Sequence, residues 1–125
     1  MVPADALREV VTVDYTRLTL VSPAGAAAAE RVTLDLLLTF AAEDSTLSYP
    51  GVVVAEVKQA RHRRSCFLDT MRELGLRAGS VSKYCLGVAS LHARAKKNRY
   101  LPILNRLRRT ADRTADDHAP PPAPR

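Results

Sequence analysis

The run Arg31-Val32-Thr33-Leu34-Asp35-Leu36-Leu37-Leu38-Thr39-Phe40 decides how this chain folds. Val32, Leu34, Leu36, Leu38 and Phe40 occupy every second position and are all apolar. The interleaved set is Arg31, Thr33, Asp35, Leu37 and Thr39, polar toward its beginning. Successive side chains of a strand leave on opposite faces, so a period of two predicts a β-strand with one apolar and one charged face. A solvated outer face accounts for the polar set as well as a binding face does. The flanking segments bear on that choice.

Upstream, Val10 to Val21 alternates as a strand, with Val11, Val13, Tyr15, Arg17 and Thr19 on one face. Ser22-Pro23-Ala24-Gly25 reads as a turn, and the alanines 26–29 form a connector with room for a helical turn. Downstream, a connector from Ala41 to Gly51 ends in Tyr49-Pro50-Gly51. It leads into Val52-Val53-Val54-Ala55-Glu56-Val57-Lys58-Gln59, whose valines predict a third strand. There Glu56 and Lys58 share a face with Val52 and Val54, while Val53, Ala55 and Val57 lie on the other. An acid and a base two residues apart are either a charge pair on a solvated face or parts of a site.

The character then changes to helix. Cys66, Phe67, Met71 and Leu74 have helical spacing within Arg61 to Leu74, and Gly75 suits the position past a helix end. A second helix is predicted from Ser80 to His92, capped by Ser80, with Val81, Tyr84, Cys85, Val88 and Leu91 as its buried stripe. A third begins near Asn98, with Pro102 in its first turn and Tyr100, Ile103, Leu104 and Leu107 facing inward. Strands followed by helices argue an α+β fold, an antiparallel sheet whose apolar face is covered by C-terminal helices. The other face then collects Arg17, Arg31, Asp35, Glu56 and Lys58. Residues 8–109 make one domain, and residues 110–125, ending Ala-Pro-Pro-Pro-Ala-Pro-Arg, are expected to be a disordered Pro-rich tail.

Composition narrows the partners. At 125 residues, 46% hydrophobic and 26% charged, the chain suits one soluble domain and not a disordered one. No apolar run approaches the roughly 20 residues of a membrane span. Met1-Val2-Pro3-Ala4-Asp5 lacks the basic and apolar regions of a signal peptide. Cys66 and Cys85 do not have metal-knuckle spacing, and free thiols in a reducing cytoplasm are expected. The net charge of +6 is uneven. Residues 1–60 hold four bases (Arg8, Arg17, Arg31, Lys58) against eight acids, whereas residues 61–109 hold thirteen bases against only Asp69 and Glu73. A strongly basic second half implies an anionic partner. It lacks interleaved aromatics for base stacking and any DNA-reading motif, which argues against nucleic acid.

Arginine presents a planar fork of donors that suits phosphate oxygens, lysine a compact point charge, and a carboxylate among them a ligand for a hard divalent cation. Arg17, Arg31, Lys58 and Glu56 on one face therefore suit a phosphate site. Five segments carry a family resemblance: Tyr15-Thr16-Arg17, Glu30-Arg31-Val32-Thr33-Leu34-Asp35, Glu56-Val57-Lys58, Ser82-Lys83-Tyr84-Cys85-Leu86-Gly87 and Asn98-Arg99-Tyr100. In order and spacing they resemble the motifs of the VTC (vacuolar transporter chaperone) domain, of the triphosphate tunnel or CYTH-like superfamily. The resemblance implies an antiparallel β-barrel tunnel in which polyphosphate is polymerised from the terminal phosphate of ATP with a divalent metal, Mn²⁺ or Mg²⁺. It implies that Arg17, Arg31, Lys58 and Lys83 contact phosphate and that Glu56 binds the metal; it assigns no catalytic residue. Polyphosphate or a nucleoside triphosphate is the implied ligand.

The resemblance covers the C-terminal half of such a domain. The sheet is therefore expected to form about half of a tunnel. The chain is expected to be inactive alone, becoming a polyphosphate polymerase-type phosphotransferase only when completed by a second copy or a separately encoded N-terminal half. Two other readings stand beside it: a non-catalytic phosphate-binding remnant or split-gene fragment, and a basic nucleic-acid-binding domain.

Overall fold

Strand β2 (Glu30–Ala42) is the centre around which the sheet is built. The structure is a computed structural model that describes residues 2–26, 29–61 and 63–117. On one side β2 pairs antiparallel with β1 (Thr12–Val21) along most of its length. On its other side it pairs with two shorter strands, β3 (Ser45–Tyr49) against Leu38–Ala42 and β4 (Val54–Gln59) against Glu30–Asp35. The described residues thus form an open, four-stranded antiparallel sheet, followed by α1 (Cys66–Glu73), α2 (Lys83–Leu91) and α3 (Leu101–Asp117). This is the expected α+β class, and an open antiparallel arc is consistent with part of a tunnel-type fold.

Strand β3 lies in the segment expected to be a connector. Thr46, Leu47, Ser48 and Tyr49 alternate, but the run is short and no Gly or Asn marks the turn before it. The hairpin is closed by Glu43-Asp44, with Ala42 opposite Ser45 and Glu43 held at φ 42°. A left-handed non-glycine residue is rarely legible from sequence.

A second left-handed residue, Leu37 at φ 54°, reshapes the sheet. Asp14 pairs with Thr39 and Thr16 with Leu36, so Tyr15 faces both Leu37 and Leu38. β2 carries one extra residue there, a β-bulge that resets which side its following residues face. Val13 pairs with Phe40 and Arg17 with Asp35, and β1 itself is unbroken between them. Leu38 and Phe40 therefore lie on the same face as Asp35, whereas strict alternation puts them opposite. The apolar row from Val32 to Phe40 is split: Val32, Leu34 and Leu36 face one way, Leu38 and Phe40 the other.

The helices cover Leu38 and Phe40. Both are fully buried, in a core with Val11, Tyr49, Val52, Leu86, Ala89, Leu104 and Leu107. Phe40 and Tyr49 meet edge to face at 6.2 Å. Helix α2 approaches through Gly87, where a Cβ would stand 2.8 Å from both Phe40 and Val11. Close approach through glycine turns Leu86 and Ala89 to the sheet and leaves Val81 and Tyr84, expected in the buried stripe, largely exposed. The cap is Ser82, not Ser80, its hydroxyl accepting from the Cys85 N–H at 3.3 Å. The first helix starts later than expected, at Cys66 behind a Ser65 cap. It ends as expected, with Gly75 at φ 74° and its N–H on the Arg72 carbonyl, and the Leu76 N–H on that of Met71.

Helix α3 buries Leu104 and Leu107, with Tyr100 and Ile103 packed beside them, as predicted. It runs through Asp117, beyond residue 109 where the domain was expected to end, with Ala111 still packed against the core. The Pro-rich run 118–125 and Ala27-Ala28 of the connector lie outside the described residues. Cys66 and Cys85 are free thiols. No helix among the described residues is long and apolar enough to cross a membrane.

Candidate functional site

The strand register places the candidate residues in rows. Arg17 stands opposite Asp35, and Asp35 opposite Val54. Next come Thr19, Thr33 and Glu56, then Val21, Arg31 and Lys58. Directly opposed residues share a face. Arg17, Arg31, Asp35, Glu56 and Lys58 are thus on one face, as the alternation of each strand predicts.

They form two groups. In the first, the Arg17 fork donates from Nε to Asp35 Oδ1 at 2.6 Å and from Nη2 to Oδ2 at 2.8 Å. Lys83, the first residue of α2, reaches the same Oδ2 at 2.8 Å. The Tyr15 ring lies 5.0 Å from the Arg17 guanidinium and 5.1 Å from the Lys83 ammonium, within reach of a cation–π contact with each. Asp35 is fully buried. The Arg17 hydrogen bonds, with help from Lys83, outweigh the desolvation and hold its carboxyl down at about 2. The same bond raises the Arg17 pKa above its ordinary value.

In the second group Arg31 and Lys58 are register partners, like charges facing each other across two strands. Such a pair is destabilising unless an anion or a carboxylate relieves it. Lys58 leans along its own strand to Glu56, 3.1 Å away, with both side chains largely in solvent. Arg31 is exposed and makes no ion pair among the described residues. Both bases line a cleft of about 610 Å³ whose wall is the Ser22–Ala26 turn.

Thr33 lies between the groups. Its hydroxyl is buried and makes no hydrogen bond among the described residues. Buried hydroxyls are normally hydrogen-bonded, which sets this one apart from the other strand threonines.

All four proposed phosphate contacts are therefore on or beside one face, but not equivalently. Arg17 and Lys83 are already engaged by Asp35, while Arg31 and Lys58 are presented at the cleft. Sequence reasoning did not single out Tyr15, Thr33 or the role of Asp35. Tyr15 and Asp35 share the alternation of Arg17 and Arg31, which was the available signal; nothing in the sequence distinguishes Thr33 from any strand threonine.

Glu56 pairs with Lys58, while Glu30 lines the cleft and accepts from Gln59 Nε2 at 2.6 Å, and among the described residues no three His, Cys, Asp or Glu side chains cluster as a metal cage. One carboxylate fits a hard divalent ion only if waters and phosphate oxygens complete its shell. The sequence model of the VTC domain matches residues 1–92. Four of the five resembling segments fall inside that span, and Asn98-Arg99-Tyr100 lies beyond it. No curated protein and no solved structure matches the chain.

Proposed function

The chain belongs to the VTC domain family, whose type is polyphosphate polymerase-like, and on that premise we propose that its charged sheet face binds linear polyphosphate or the triphosphate of a nucleotide. The observation that carries this reading is the Arg31–Lys58 pairing: two bases opposed in register at a cleft, beside a buried hydroxyl without a partner. An anion bridging Arg31 and Lys58 turns a repulsive pair into an attractive one.

Glu56 would hold a divalent ion together with phosphate oxygens, and such an ion would neutralise phosphate charge beside the two bases. This chain's own residues grip and orient. Arg31 and Lys58 take one stretch of the phosphate chain, Arg17 and Lys83 another, with the Thr33 row between.

Binding without turnover is the activity proposed for the chain alone, because the four-stranded sheet of the described residues is open and small closed barrels need about eight strands. The outer edge of β1 pairs with no strand of the described residues, and a second copy or a separate strand-forming half can add there.

Titration calorimetry with tripolyphosphate at low salt tests the reading. Binding that weakens as salt rises is expected, with single-stranded DNA of equal charge a poorer competitor than polyphosphate. A folded protein that takes up no tripolyphosphate, or that prefers DNA, refutes it. Incubation with ATP and Mn²⁺ should yield no polymer; synthesis by the purified chain contradicts the binding-only reading.

A further inference from the structure

Asp35 sits at the border between the packed and the charged parts of the sheet, and its contacts set it apart from the other acids. Its side chain is 1% exposed, yet the hydrogen bonds it accepts all come from cations. Arg17 comes from β1 and Lys83 from the start of α2, so one carboxylate of the central strand ties together two distant parts of the chain. A buried acid is tolerated only when paired this fully.

The pairing leaves donors over. A guanidinium has five N–H groups and an ammonium three. Asp35 occupies Nε and Nη2 of Arg17, while Nη1 makes no hydrogen bond among the described residues and the side chain is 39% exposed. Lys83 is 18% exposed. The Tyr15 ring against both cations restricts them further.

We propose that Asp35 is a positioning residue for anion binding: it holds the Arg17 guanidinium and the Lys83 ammonium side by side, in advance of the ligand, so that their remaining N–H donors meet one phosphoryl group together. This rests on the phosphate reading above and adds to it a residue that does not itself touch the ligand. Its physical basis is pre-organisation: long cationic side chains that are already ordered lose little freedom when the ligand arrives. A plain charge count makes the opposite prediction. Removing a carboxylate raises the net charge by one and should tighten binding of any anion.

The two are separated by calorimetry with tripolyphosphate on the wild-type chain and on Asp35→Asn, at equal low salt. Positioning predicts affinity about tenfold weaker in the variant despite its extra positive charge. Wild-type binding together with equal or tighter binding by Asp35→Asn overturns the positioning role and leaves the phosphate reading intact. No binding by the wild type removes the phosphate reading and this role with it. The wild-type protein gives a second answer that does not depend on the variant folding. The Arg17 Nε–H should give a resolved, slowly exchanging signal in ¹⁵N NMR, and keep it when tripolyphosphate saturates the protein. Loss of that signal on binding means that Arg17 abandons Asp35 for the ligand, which makes the carboxylate a competitor and overturns the proposal.

Discussion

One face of one sheet carries two regions with opposite properties. From Val11 and Val13 across Leu38 and Phe40 to Tyr49 it is apolar and lies beneath α2 and α3. From Thr19 across Thr33 and Arg31 to Glu56 and Lys58 it is polar, and its charged ends are open. The usual way to separate packing from chemistry on a sheet is to give each its own face. Here they share a face and are separated along the strands. The bulge at Leu37 makes this possible, since it brings Leu38 and Phe40 onto the side of Asp35. The Arg17–Asp35–Lys83 cluster forms the border, reaching from the sheet to the first residue of a core helix.

Emptying the packed region should have the largest effect. Phe40→Ala removes a fully buried ring at the centre of the core and should cost about 4 kcal/mol of stability. Measured by urea unfolding, a loss below about 1 kcal/mol would mean the helices do not rest on this side. Next is Gly87→Ala, whose added methyl meets Phe40 and Val11 at 2.8 Å and should cost about 1–3 kcal/mol. Gly79→Ala, with nothing within 4 Å, serves as its neutral control.

The border should respond to acid. Asp35 titrates at about 2 in the folded chain, below its unfolded value near 4. Its contribution is complete above about pH 4 and is lost as pH falls toward 2, on the order of 2 kcal/mol in all. Thermal melts from pH 5 to pH 2 should show this loss in the wild type and much less of it in Asp35→Asn. Equal acid sensitivity in both would mean that other carboxylates govern the transition.

The smallest stability effect belongs to the polar region. Thr33→Val removes a buried hydroxyl that has no partner, so stability should stay level or rise by up to about 1 kcal/mol, while tripolyphosphate affinity falls severalfold. A clear destabilisation in the same unfolding assay would show that the hydroxyl is already satisfied in the free protein.

How much of this was legible in the sequence follows from what each feature depends on. The strands β1, β2 and β4 declare themselves by alternation, and the common face of Arg17, Arg31, Asp35, Glu56 and Lys58 follows from it because the bulge lies beyond Asp35. What alternation cannot reveal is a reset in its own phase. Leu37 is one leucine in a run of three, and its positive φ is imposed by register against Tyr15, not by its side chain. The same holds for α2, whose stripe was placed by hydrophobicity although the closeness allowed by Gly87 chose the face. In the site, the charged residues were visible as types. Their division into an engaged pair at Asp35 and a presented pair at the cleft depends on the three-dimensional meeting of β1, β2 and α2, which no spacing encodes.

Whether the charged region of the face is an anion site is decided by tripolyphosphate calorimetry on the wild type and on Arg31→Ala/Lys58→Ala. Both residues are exposed, so the double variant should melt with the wild type, to within about 0.5 kcal/mol in stability. Its affinity should be at least about tenfold weaker, with a shallower dependence on salt. Unchanged affinity and salt dependence in a folded double variant would contradict the assignment.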